Sequence, residues 1–106
     1  MNQFEQSRER IPTREEVLDL IRRRAEGCTV LDERRDERGV YYLEAKSPET
    51  RPGEYTVYVY LRKGTYPGGS SSLTTRLMAE EYTHGDVDSG DDIAELDPAT
   101  NEWVNK

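Results

Sequence analysis

Residues 55–62 read Tyr-Thr-Val-Tyr-Val-Tyr-Leu-Arg, a run of β-branched and aromatic residues that no glycine or proline interrupts, and it predicts a strand. Successive side chains along a strand point to opposite faces, so Tyr55, Val57, Val59 and Leu61 lie on one side and Thr56, Tyr58, Tyr60 and Arg62 on the other. One face is aliphatic after Tyr55 and the other carries Tyr58 and Tyr60. The rest of the chain is read outward from this element.

Upstream, residues 47–54 contain Gly53 and two prolines, Pro48 and Pro52; the prolines remove two backbone donors, and together the three mark a loop. Before that loop, 28–35 and 40–46 have the same β character and are joined by Asp36-Glu37-Arg38-Gly39, which predicts a hairpin. Further upstream, Thr13 with Glu16 three residues later forms a capping box preceded by Pro12, so a helix starts at Arg14. Val17, Leu18, Leu20, Ile21 and Ala25 make its apolar stripe. Glu15 and Glu16 suit its positive end, Arg22, Arg23 and Arg24 its negative end, and Gly27 is expected to close it as the residue after the cap.

Downstream, Gly64–Ser72 is rich in glycine and serine and predicts a loop. Residues 73–82 predict a strand with Leu73, Thr75, Leu77 and Ala79 on one face and Arg76, Met78 and Tyr82 on the other. The acidic stretch 83–92, with Gly85 and Gly90, is expected to be a connection. A last hairpin pairs 93–96 with 102–104 across Asp97–Asn101, where Pro98 presets the turn and Asn101 tolerates a left-handed backbone.

The expected fold is therefore α+β: one N-terminal helix packed on an antiparallel meander of four to six strands. A chain of 106 residues fills one core. Residues 1–10 are expected to be a disordered tail and residues 11–106 one soluble domain. A helix followed by antiparallel strands resembles the topology of cystatin-like domains, which implies a sheet wrapped round the helix. The Gln-x-Val-x-Gly hairpin of the inhibitors in that family is absent, and such scaffolds serve many functions.

Composition narrows the function classes. The net charge is −7, and no lysine or arginine lies between Arg76 and Lys106, where Glu80, Glu81, Asp86, Asp88, Asp91, Asp92, Glu95, Asp97 and Glu102 all fall. Binding to duplex nucleic acid through this half is disfavoured, because it needs clustered cations. Cys28 is the single cysteine, so there is neither a disulfide framework nor a thiolate metal cluster, and a reducing, cytoplasmic setting is expected. No apolar run is long enough for a signal peptide or a membrane span.

Candidate sites follow from residue types. Tyr42, Tyr58, Tyr60, Arg62 and Arg76, with Tyr66 in the loop after Lys63, are expected to form an interaction surface on the sheet face that the helix leaves bare, since one helix covers one face. The reading is a non-enzymatic module binding a protein partner, as a monomer or an edge-strand dimer. The alternative is a single-stranded nucleic-acid module stacking bases on Tyr58 and Tyr60 beside Arg62 and Arg76.

A small enzyme would have to rest on Cys28 or His84, for which no base and orienting group are visible. Residues 86–92 alternate oxygen ligands as calcium requires, but the turn glycine sits one position early and no helices flank it, so a solvated connection is expected. Gly64–Ser72 leads into a strand where a phosphate loop would open a helix. No metal or cofactor is expected. The arginines at 22–24, 34, 35 and 38 alternate with Glu26, Glu33, Asp36 and Glu37, which screen them.

Overall fold

Thr13 has an extended backbone (φ −76°, ψ 160°) and its hydroxyl accepts the Glu16 N–H, starting helix α1 at Arg14–Arg24 as the capping box requires. The computed structural model describes residues 10–65 and 73–106; the expected disordered tail falls almost wholly outside them. The helix ends earlier than a Gly27 closure implies. Ala25 is its cap, already extended at φ −153°. Gly27, at φ +80°, instead turns the chain toward β1, and a Cβ there would meet Pro48 at 3.2 Å.

Six strands follow: β1 (Thr29–Asp36), β2 (Gly39–Lys46), β3 (Glu54–Leu61), β4 (Arg76–Thr83), β5 (Asp86–Asp97) and β6 (Glu102–Asn105). They form one antiparallel sheet in the order β1-β2-β3-β4-β5-β6. Every strand thus pairs with its sequence neighbours, the arrangement that short connections favour. Register shifts leave Leu31 in β1, Tyr41 in β2 and Asp88 and Ile93 in β5 as extra residues. Such bulges bend strands and increase their twist.

Two expectations about strands are corrected. The fourth strand begins at Arg76, because Leu73 is 83% exposed and the buried Thr75 uses its hydroxyl to accept the Lys63 N–H at 3.0 Å. The acidic stretch is the first half of the twelve-residue β5. His84 (φ 49°) and Gly85 (φ 88°) make a two-residue turn, the conformation that matches strand twist in a hairpin, so pairing resumes at once with Thr83↔Asp86. An exposed edge needs no apolar residues, and charge there is ordinary.

Val17, Leu18 and Ile21 of α1 pack on Val40, Leu43, Ala45, Tyr58, Tyr60, Leu77 and Ala94. Full burial of each aliphatic side chain contributes roughly 1.5–3 kcal/mol, so the helix is held chiefly by this face. Arg10 and Glu16 form a bidentate pair at 2.6 Å, and the Trp103 indole donates to the same carboxylate at 2.9 Å, tying the helix start to β6. No described helix is long and apolar enough to cross a membrane.

Candidate interaction face

The expected surface divides between the two sides of the sheet. Tyr58 and Tyr60 are not exposed: they are 8% and 0% accessible and lie beneath the helix. Their strand partners decide this. Tyr60 stands between Leu43 and Leu77, and Tyr58 between Ala45 and Ala79, so the side with small and aliphatic cross-strand neighbours receives α1. Trp103 meets the Tyr60 ring edge-on at 6.4 Å. A stacking platform on these two rings is thereby removed.

Arg62 also falls on the helix side and is 4% accessible. Its guanidinium is paired with Asp36 and lies 5.9 Å from the Tyr41 ring, so it joins the β1–β2 turn to the end of β3 and is not a contact residue. Tyr42 and Arg76 flank Leu61 on the opposite face. Tyr66 lies outside the described residues.

The face opposite the helix has no element over it among the described residues, yet Val57, Val59 and Leu61 are 3%, 8% and 2% accessible. They are roofed by Tyr55 of the same strand and by Tyr42, Met78 and Tyr82 of the neighbouring strands. Long amphipathic side chains cover apolar area in this way while keeping their polar ends in water. Tyr55 and Tyr82 are cross-strand partners and stack with centroids 5.2 Å apart and planes at 6°. Lys46 sits 4.3 Å from the Tyr55 centroid.

At the other end of the face, Tyr42 donates to Glu44 at 2.7 Å under the Arg34 guanidinium, which is 5.2 Å from its ring. Arg76 pairs with Asp92 at 3.3 Å. Burial, then the Glu44 carboxylate, pushes the Tyr42 phenol far above its ordinary range. Burial followed by Glu80 raises that of Tyr82. Both phenols are therefore hydrogen-bond donors throughout the neutral range.

Beside Tyr82, in register with it, Val87 is 52% exposed. Tyr55, Lys46 and Val87 were not singled out in the sequence. Their alternation was visible, but the register that brings positions 55, 82 and 87 into one row was not.

The remaining candidates have structural roles. The Cys28 thiol donates to the Ala25 carbonyl at 3.1 Å, and burial raises its pKa against the nearby Arg22, which leaves it a protonated thiol. His84 donates its backbone N–H to the Gly53 carbonyl at 2.8 Å, and its ring occupies the space a Gly53 Cβ would need. Cys28 precedes β1, whereas His84 turns β4 into β5, three strands away.

The strand conformation of 86–92 sends its carboxylates to alternate faces, and no metal-holding group of His, Cys, Asp or Glu gathers among the described residues. The hollow at the helix end, ≈ 550 Å³, is lined by Asp19, Arg22, Arg23, Glu26 and Gly27, where acids and bases alternate. Comparisons with protein-family models, with curated proteins and with solved structures find no match.

Proposed function

We propose that the chain is a non-enzymatic, cytoplasmic interaction module whose protein partner seats on the sheet face opposite α1, around Tyr55, Tyr82 and Val87. The carrying observation is the half-buried Tyr55–Tyr82 stack beside an exposed valine. A stacked tyrosine pair is already ordered, so little side-chain entropy is lost when a partner covers it, and each ring offers apolar area with a polar tip. Arg34, Glu44 and Lys46 on the β1–β2 side and Glu80 on the β4 side give a mixed polar rim of the kind that surrounds protein contacts. Single-stranded nucleic acid is the weaker reading, since the ring faces of this pair are turned on each other and on Lys46.

A photoreactive benzophenone side chain introduced in place of Tyr82, and separately in place of the exposed Asp19 on the far side of α1, tests the assignment in cells. Crosslinking to a discrete polypeptide is expected from position 82 and not from position 19. Equal yields from both positions, or none from 82, would refute it.

A further inference from the structure

Strand β5 runs from Asp86 to Asp97, but β6 pairs only with Ala94–Asp97, and the last sheet bond is Lys106 N–H to the Ile93 carbonyl at 2.9 Å. From Asp86 to Asp92 the strand is bonded to β4 on one side, and no described residue bonds its other side. Within this stretch the register is unbroken from Ser89 to Asp92, so its outward N–H and C=O groups are spaced as a strand requires. An edge of this kind is a template for one more strand.

The side chains beside the template select what can occupy it. Asp91 and Glu81 are exposed on the helix side, and neither they nor Asp86 and Asp88 have a described ion pair; Asp88 accepts the Thr83 hydroxyl and Glu81 that of Ser89. On the opposite side the edge offers the exposed Val87 next to Tyr82, and Gly90, without a side chain of its own, pairs with Glu80. The free edge of β1 differs: its Asp32–Arg34 and Glu33–Arg35 pairs neutralise one another. Two copies meeting edge to edge at β5 would juxtapose like charges, which is destabilising.

We infer that the β5 edge from Asp86 to Asp92 captures an extended segment of a partner protein that alternates lysine or arginine with apolar residues, adding it as a strand beside β5, in line with β6. Basic side chains of the segment fall on the Asp91–Glu81 side and apolar ones on the Val87–Tyr82 side. This rests on the reading of the chain as a protein-binding module and names the chemistry of its partner.

The probe is a synthetic peptide alternating lysine and valine, observed by backbone amide resonances and amide hydrogen exchange of the full chain at low salt. Binding is expected with new exchange protection confined to the Ser89–Asp92 region. N-methylation of the peptide's inward amides is expected to weaken it by about tenfold per hydrogen bond removed. A glutamate–valine peptide is expected not to bind, and Asp91→Lys with Glu81→Lys reverses the preference between the two peptides.

Undiminished binding of the N-methylated peptide would overturn strand addition, because pure charge attraction needs no backbone donors. Absence of binding at low salt would overturn it as well. Perturbations confined to Tyr55, Tyr82 and Met78 would remove the edge site and leave the open-face reading standing. Strand addition without any crosslink from position 82 would do the reverse.

Discussion

Replacing Tyr60 by alanine discriminates most sharply between the two sides of the sheet. The ring is fully inaccessible, stands between Leu43 and Leu77, packs with Val17, Leu18 and Ile21 and receives the edge of Trp103. Truncating a buried aromatic side chain costs about 3–5 kcal/mol through lost transfer energy and the cavity left behind. Tyr82→Ala removes one half-buried ring from a stacked pair, for which about 1 kcal/mol is expected.

At roughly 5 °C per kcal/mol for a chain of this length, Tyr60→Ala lowers the thermal midpoint by about 15–25 °C and Tyr82→Ala by about 5 °C. Circular dichroism melts and urea titrations of the two variants in one buffer give the comparison. A Tyr60→Ala protein already unfolded at room temperature agrees with the placement, since total stabilities of such domains are about 5–15 kcal/mol. Equal losses from the two variants, or a larger one from Tyr82→Ala, would refute the assignment of Tyr60 to the core.

Two further perturbations test the local chemistry. The Arg10 guanidinium holds the Glu16 carboxyl below the usual range, burial opposes it, and the Trp103 indole adds to the lowering. A folded pKa below the unfolded one gives stability that is present above the unfolded pKa and is lost as pH falls through the folded one. Glu16→Gln is therefore expected to destabilise at neutral pH and to flatten the acid limb of the stability curve below the ordinary glutamate range; an unchanged acid limb in urea titrations would contradict this. His84 has positive φ at the β4–β5 turn, a conformation that asparagine adopts readily and β-branched residues avoid. His84→Asn should hold or slightly raise the melting midpoint, while His84→Val should cost about 1–3 kcal/mol, and a neutral valine would sink the turn assignment.

Elements whose signal is local were readable from the chain. Thr13 and Glu16 announce the helix start because the cap hydroxyl and the N–H it accepts are three residues apart, and Tyr55–Leu61 announces a strand because its period is two. The stretch 83–92 reads as a connection, since its acidity obscures a strand that faces water and so needs no apolar face. The helix is capped at Ala25, and Gly27 serves the turn toward β1, where a side chain would meet Pro48, twenty-one residues away in sequence.

What the amino-acid order determined unaided is the succession of one helix and antiparallel strands, which follows from periodicities of 3.6 and 2 in neighbouring residues. Which side of the sheet the helix takes was decided only in three dimensions. Tyr58 and Tyr60 alternate with Val57, Val59 and Leu61, and both rows are apolar enough to be buried. The choice came from cross-strand neighbours at Leu43, Ala45, Leu77 and Ala79, set by hydrogen-bond register between segments far apart in the chain. The same register stacked Tyr55 on Tyr82 and left the outer edge of the acidic half of β5 unpaired among the described residues, because pairing joins residues by position in the sheet and not by distance along the sequence.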